Sequence, residues 1–370
     1  MKIGIDARCL MDEQYSGVSW YAFNLLKALF ELDRQNEYVL FYNSSKSVKL
    51  PDFDYPNVSW RGFRYPNKLF NLSLNFLGWP KLDKLIGGCD VFFSPNLHFA
   101  SLSSECGHVV AVHDLSFLIY SEFFTFKQRL WHKLILRNKI LERAAAIVAD
   151  SENTKKDLID LARVNSEKIH VCLLGVGRAY QPINDATELD KVKKKYGLPD
   201  NFILSLGSLE PRKNLISVIK AFVKIDTKAS LVIAGASGWK NNRVKVLAAQ
   251  DQRIKLIGYI DETDKPALYS LAQILVYPSF YEGFGLPIVE AMACGTPVIA
   301  GANSSQGEVL ADAGLLVDPY DITQIRRAME LLLSNESLRQ EFIRRGLERV
   351  KLFDWKDTAQ KVLQIFETLK

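Results

Sequence analysis

Tyr277-Pro-Ser-Phe-Tyr-Glu-Gly-Phe-Gly-Leu-Pro-Ile-Val-Glu-Ala-Met-Ala-Cys-Gly295 holds, in order, the end of a strand, a glycine loop and a short helix. Ile274 to Tyr277 is an apolar run of buried-strand character, and Pro278, which has no amide proton to give a ladder, ends it. Gly283 and Gly285 let the backbone turn sharply and approach a ligand closely. Pro287 suits the start of a helix, and Gly295 with Pro297 stops that helix about two turns later. The strand Val298 to Ala300 follows at once. Strand, glycine turn, helix and strand in this order are the repeating unit of a parallel α/β sheet. The unpaired amides of the helix start make an anion site, phosphate being the usual ligand. Glu282 on the loop and Glu290 one turn into the helix are electrostatically wrong beside a phosphate unless they have another task, such as holding sugar or ribose hydroxyls.

Working outward, 370 residues exceed one ordinary domain and imply two, each with its own core. The 48% apolar and 24% charged content is that of a globular protein, and a net charge of +5 is too weak to imply nucleic acid as a partner. Five cysteines with no Cys-x-x-Cys pair read as reduced thiols, with neither a disulfide framework nor a zinc site. No run reaches the roughly 18 apolar residues that a membrane span needs. These readings place the chain in the cytoplasm.

The strand at residues 3–7 leads through the loop Asp12 to Val18, with Gly17 in it, into a helical pattern over Trp20 to Leu32. Further apolar runs end at Pro95-Asn96, at His113-Asp114 and at Asp150-Ser151-Glu152. In an open parallel sheet such strand ends face the ligand. Asp114 can equally cap a turn, Ser151 can equally be a helix N-cap, and His113 can equally be a hydrogen-bonded core histidine. Residues 178–199 are polar and form a linker into a helix. A second α/β series begins at Phe202 to Leu206, whose end reads Gly207-Ser-Leu-Glu-Pro-Arg-Lys-Asn214. Arg212 and Lys213 stand just before a helix, where a diphosphate would meet both positive side chains and helix amides. The tail from Glu336 is helical with a break near Phe353 to Trp355.

The two C-terminal blocks, Gly207 to Asn214 and Pro278 to Val298, together resemble the retaining glycosyltransferases of family 4. The opening Gly4-Ile-Asp-Ala-Arg8, the His113-Asp114 pair and Asp150-Ser151-Glu152 fall where that family has them, so the likeness spans the chain. It implies the GT-B fold: two Rossmann-like α/β domains with parallel sheets facing across a central cleft. The implied domains are 1–178 on the acceptor side and 179–354 on the donor side, with a final helix at about 355–370 packing back on the first. The resemblance assigns Arg212 and Lys213 to the donor diphosphate in place of a metal, with no cofactor. It assigns Glu282 to the donor sugar, either as nucleophile or as electrostatic stabiliser. The amides of Gly283, Phe284, Gly285 and Leu286 continue the phosphate cradle begun at Gly207, Glu290 takes the ribose, and Tyr259 and Ile260 lie near the base. His113 would sit under the donor sugar, and Asp114, Ser151 and Glu152 would border the acceptor. Two places depart from the family: Trp20 stands where its first loop often has arginine, and Gly177 where it has aspartate after Gly-Val.

The expected reaction is transfer of a hexose, mannose from GDP-mannose first, to a glycan or lipid-linked glycan hydroxyl in surface polysaccharide assembly. UDP-glucose or UDP-N-acetylglucosamine are alternative donors, and a sugar-nucleotide epimerase or a non-catalytic glycan-assembly subunit are alternative functions. A nicotinamide dehydrogenase is disfavoured, because no Gly-x-Gly-x-x-Gly follows the first strand. Lys127, Arg129, Lys133, Arg137 and Lys139 interleave with Leu130, Trp131, Leu134 and Ile135, and residues 61–84 are also basic and aromatic. Both stretches read either as contacts with an anionic membrane, at the inner face of the plasma membrane, or as solvated faces over an ordinary core.

Overall fold

All strand pairs are parallel, and they form two sheets. The structure is a computed structural model that describes residues 1–12, 14–137 and 139–369; the side chain of Arg137 and residue Lys370 lie outside the described residues. The chain divides into two units, Met1–Gly175 with the chain from Asp354 onward, and Val176–Phe353.

In the first unit β1 (Lys2–Asp6), β2 (Glu37–Asn43), β3 (Val58–Phe63), β4 (Val91–Ser94), β5 (Gly107–Val112), β6 (Ala146–Ala149) and β7 (Ile169–Val171) lie in the order β3-β2-β1-β4-β5-β6-β7. The central strands are apolar and buried on both faces, which is what covering a parallel sheet with helices requires. The two edge strands, β3 and β7, were not legible as apolar runs. β3 reads Val-Ser-Trp-Arg-Gly-Phe and is half exposed, and β7 is three residues long. The first helix also starts earlier than its apolar pattern. Ser16 caps it by accepting from the Ser19 amide at 3.3 Å, so Gly17 is its first residue rather than a loop glycine.

In the second unit β8 (Phe202–Leu206), β9 (Ser230–Ala234), β10 (Ile254–Gly258), β11 (Ile274–Tyr277), β12 (Val298–Gly301) and β13 (Leu315–Val317) are ordered β10-β9-β8-β11-β12-β13. Ile203, Ile233, Val276 and Ile299 from the strands pack with Val218, Phe222, Met329 and Leu332 from the helices.

The helix Trp355–Thr368 belongs to the first unit, where it lies along Gly17–Leu32. Trp355 sets its ring edge to Tyr21 at 6.0 Å between centroids, Phe366 packs on Phe93, and Thr358 Oγ1 donates to the Leu173 carbonyl at 2.6 Å. Gly175 allows this return, since a Cβ on it would stand 2.1 Å from the Trp355 backbone nitrogen. Gly175→Ala therefore forces two backbones apart. The expected loss is about 1–3 kcal/mol, read as a lower urea midpoint at unchanged slope, and an unchanged midpoint would refute this account of the return.

Candidate active site

The strand order of the second sheet reverses between β8 and β11, and open parallel sheets bind ligands beyond the carboxyl ends at such a switch point. β8 is followed by Gly207 with φ 151°, and the neighbouring β9 by Gly235 with φ 142°. A Cβ on Gly235 would lie 2.0 Å from the Gly207 carbonyl oxygen, so the two turns close on one another only as glycines. Beyond Gly207 a single turn, Pro211–Lys213, presents Arg212 and Lys213. Asn214, buried at φ 55°, fixes that turn by donating to the carbonyls of Pro278 at 3.0 Å and Pro319 at 2.6 Å. The loop after β8 is thereby tied to the end of β11.

The charges meet across that tie. Lys213 Nζ donates to Glu282 Oε1 at 2.7 Å and Arg212 Nη1 to Glu282 Oε2 at 2.8 Å. The Tyr277 hydroxyl donates to Glu282 Oε1 at 2.8 Å and lies 2.6 Å from Lys213 Nζ. Arg212 reaches Glu210 as well, through Nε at 3.1 Å and Nη2 at 2.9 Å. Burial alone would raise the Glu282 carboxyl, but the charges of Arg212 and Lys213 outweigh it and hold the pKa at about 2. Glu282 is 5% exposed and stays an anion at any physiological pH. The cluster balances two cations against two carboxylates, Glu210 and Glu282. Glu210, Tyr277 and Asn214 were not singled out from the sequence. Glu210 lies inside the quoted Gly207 to Asn214 block, and a carboxylate two residues from a cation pair is the signal that could have found it.

The helix Leu286–Ala293 begins where expected, behind Gly285 at φ 103°. Ser305 Oγ donates to the carbonyls of Glu282 and Phe284, both at 2.9 Å, and Ser304 Oγ accepts from the Glu282 amide at 3.1 Å. These bonds hold the Gly283 to Leu286 backbone over the helix start. Gln306 braces the ends of β11 and β12, donating to the Ser279 carbonyl at 2.9 Å and accepting from the Gly301 amide at 3.1 Å. Glu290 accepts from the Tyr269 hydroxyl at 2.7 Å. Burial pushes its carboxyl up, the nearby Lys265 charge counters this, and Glu262 adds to it. Ile260 is buried and Tyr259 half-buried just after β10.

The remaining expected residues belong to the first unit. His113 ends β5, with Nδ1 2.7 Å from Asp150 Oδ2 and Nε2 2.9 Å from the Pro95 carbonyl. Burial by itself would lower its pKa, but the Asp150 charge and hydrogen bond raise it, and both nitrogens have acceptors. The ring is thus fixed in place between the two acceptors. Asp114 Oδ1 accepts from the Ser116 amide and hydroxyl at 2.9 and 2.6 Å, and Ser151 accepts from the Thr154 amide as the N-cap of Glu152–Asp160. Glu152 is exposed in the first turn, and Gly17 is exposed with no atom within 4 Å of where its Cβ would be.

Two family descriptions match the chain, Glycosyltransferase Family 4 over residues 15–178 and Glycosyl transferases group 1 over 187–349. The O-antigen chain mannosyltransferase B of Escherichia coli is 31% identical over 287 residues, covering 75% of this chain and 74% of that protein. The chain belongs to glycosyltransferase family 4. Solved structures give this glycosyltransferase the GT-B fold. The sucrose-phosphate synthase of Thermosynechococcus elongatus superposes with a TM-score of 0.78 at 21% identity, covering 100% of this chain and 98% of the other. HepE of Anabaena, solved in complex with UDP-glucose, gives 0.74 at 16% identity, covering 99% of each chain.

The depressed Glu282 pKa has a defined sign in this glycosyltransferase. A folded value of about 2 against an ordinary 4.5 supplies stability above pH 4.5 that is lost as pH falls toward 2. The stability difference between wild type and Glu282→Gln is expected to be constant above about pH 5.5 and to shrink below pH 4.5, by on the order of 3 kcal/mol in all. Urea unfolding from pH 7 down to the acid limit measures it. A difference that stayed flat through pH 3.5 would contradict the charge cluster.

Proposed function

We propose that this family 4 glycosyltransferase moves a hexose, mannose from GDP-mannose in the first place, onto a hydroxyl of a glycan or lipid-linked glycan. The reaction retains anomeric configuration, serves surface polysaccharide assembly and proceeds without a metal. The observation behind it is the cluster at the second sheet's switch point, with Arg212 and Lys213 beside a glycine-turned helix start. In the reaction the bond from the sugar's C1 to the diphosphate oxygen breaks and one from C1 to the acceptor oxygen forms, the acceptor's proton passing to the departing phosphate. Negative charge grows on the diphosphate as it leaves, and prepositioned cations and helix amides stabilise it. Positive charge grows on the sugar ring, near the fixed anion of Glu282. Both oxygens of Glu282 are engaged by cations and Tyr277, so we read it as an electrostatic and positioning group and not as a nucleophile. Likeness to a mannosyltransferase at 31% identity favours mannose as the sugar.

A donor that binds the folded chain raises its melting temperature, by an amount corresponding to about 2.7 kcal/mol at a hundred times its Kd. GDP-mannose is expected to shift the melting temperature more than UDP-glucose or UDP-N-acetylglucosamine, and a larger shift with either UDP-sugar would replace mannose in this reading. Lys213→Ala is expected to lower kcat for transfer by about 10²–10³-fold, as loss of one oxyanion donor does. Near-normal transfer by that variant would remove Lys213 from the diphosphate.

We also propose that the acceptor is met at an anionic membrane, through residues 61–84 and not through the helix Phe126–Arg137. In that helix Ile135 is buried and Trp131 and Leu134 pack on the first unit's core, which leaves Phe126 and Leu130 as its exposed apolar residues. By contrast Tyr65, Leu69, Leu72, Phe76, Leu77 and Trp79 are 44–77% exposed within fifteen residues, and Arg61, Arg64 and Lys68 beside them are exposed. Apolar side chains with Trp and a basic fringe fit the headgroup layer. Among the described residues no helix is long and apolar enough to cross a membrane. Cosedimentation with phosphatidylglycerol vesicles is expected to fall at least roughly tenfold in Leu77→Ser/Trp79→Ser, each lost side chain forfeiting about 1.5–3 kcal/mol of burial. Unchanged cosedimentation would sink this surface.

A further inference from the structure

Two of the five cysteines meet in the first unit, where the sulfurs of Cys89 and Cys106 stand 3.6 Å apart. Neither belongs to the donor cluster or to the exposed apolar surface. The backbone on either side fixes their meeting. Cys89 comes two residues before β4 and Cys106 directly before β5, and these strands pair with Val91 opposite Gly107. The Gly107 amide donates to the Asp90 carbonyl at 2.9 Å, which ties the residues next to the two cysteines. Further back the same two segments are joined again. The Leu82 amide donates to the Ser101 carbonyl at 2.8 Å, and the buried Asp83 carboxylate accepts from the Ser103 amide at 2.9 Å and hydroxyl at 2.5 Å. Lys84 Nζ reaches Glu105 at 2.8 Å. A disulfide is about 2.0 Å long and tolerates little misplacement of the backbone. Here both backbones are held side by side and the sulfurs already touch, so rotation of the side chains closes the gap.

The two thiols are not equivalent. The hydrogen bond shared with Cys106 lowers the Cys89 pKa, burial opposes this, and the Gly4 amide adds to the lowering. The same hydrogen bond, with burial second, raises Cys106. Burial raises Cys9, Cys172 and Cys294 as well. Cys89 is also the more open of the pair. It is half-buried behind Gly87 and Gly88, and a Cβ on Gly88 would have nothing within 4 Å, whereas Cys106 is 8% exposed. The thiolate is the reacting form of cysteine, so Cys89 is placed to react first and Cys106 to resolve.

We infer that Cys89 and Cys106 form a hydroperoxide-reactive dithiol that closes reversibly to a disulfide and staples the amino ends of β4 and β5. The Cys89 thiolate attacks an oxygen of the hydroperoxide, the O–O bond breaks, and the departing oxygen takes a proton to leave as water or an alcohol. Cys89 is then a sulfenic acid. The Cys106 sulfur attacks the Cys89 sulfur, the S–O bond breaks, and hydroxide leaves as water with the Cys106 proton. Two thiols together lose two electrons, and one peroxide bond gains them. A dithiol reductant reopens the disulfide by exchange. The closed loop, residues 89–106, contains β4, and restricting it in the unfolded chain favours the folded one. The bond lies at the amino ends of these strands, opposite the carboxyl ends that carry Pro95 and His113. It therefore acts on the stability of the first unit and not on transfer.

The intact chain treated with hydrogen peroxide, against a dithiothreitol-treated reference, tests this. Maleimide labelling after denaturation counts the thiols, and chymotrypsin cuts between the two cysteines at Phe92, Phe93 and Phe99. Free thiols are expected to fall from five to three, with a linked Cys89–Cys106 peptide that dithiothreitol abolishes. The oxidised chain is expected to melt about 5–10 °C above the reduced one. Cys106→Ala is expected to stop at a Cys89 sulfenic acid, which dimedone traps, and Cys89→Ser to show no adduct at Cys106; neither gains the rise in melting temperature. Circular dichroism reports the fold of each variant, and the wild-type peptide map decides alone should a variant not fold. A link from either cysteine to Cys9, Cys172 or Cys294, a sulfinic acid at Cys89 with Cys106 still free, or no loss of thiols would overturn the dithiol. A Cys89–Cys106 bond that left the melting temperature unchanged would overturn the staple.

Discussion

A buried carboxylate must be paired, and in the second unit that constraint organises everything around Glu282. Removing one partner from a buried ion pair costs several kcal/mol, so Arg212, Lys213 and Tyr277 have to arrive at fixed positions. The scaffold delivers them from two strands that adjoin only because the sheet order reverses between β8 and β11. Glycines at 207 and 235 let the strand ends close up, and Asn214 ties the turn between them to Pro278. The resulting cluster is neutral as it stands, with Glu210 and Glu282 against Arg212 and Lys213. On the proposed function, a diphosphate at this cluster would bring negative charge to cations that are already oriented and would compete with carboxylates for them. Tight ground-state capture would thereby be weakened, while the charge growing as the diphosphate departs would still meet aligned donors, which is the differential binding that speeds a reaction.

Much of this was legible in the sequence because chemistry and geometry coincide there. The glycine turn, the helix start and the Glu282 to Glu290 spacing all lie within one continuous stretch, and Arg212-Lys213 follows its own strand end. What stayed hidden has two physical causes. The edge strands β3 and β7 have one side open to solvent and so lack the apolar signature of a buried parallel strand. Tyr277, Ser305, Gln306 and Asn214 act through contacts between segments far apart in the chain, and no local pattern distinguishes a bracing polar residue from a solvated one. The basic, Trp-containing helix Phe126–Arg137 shows the converse. Its composition fits an interface, but the stripe formed by Trp131, Leu134 and Ile135 is consumed by the core.

His113 shows how the same residue can satisfy two readings. It is a hydrogen-bonded histidine, with Asp150 on Nδ1 and the Pro95 carbonyl on Nε2, and it also stands at the carboxyl end of β5, where a parallel sheet meets its ligand. Both ring nitrogens are thereby taken up by protein partners, which fixes the ring's orientation at that strand end. Its bond to Pro95 also fixes the backbone from which Asn96 extends.

The segment from Asn67 to Leu77 links the first unit's two unassigned features. Asn67, Phe70 and Asn71 line a cavity of about 330 Å³, while Leu69, Leu72 and Phe76 recur at intervals of three and four residues and are exposed. On a helix those two sets occupy opposite faces, so one short segment borders a polar cavity on one side and an apolar, basic-fringed surface on the other. Basic residues unpaired among the described residues therefore lie on the surface side of this segment, while Arg8 on the cavity side is already paired with Asp6.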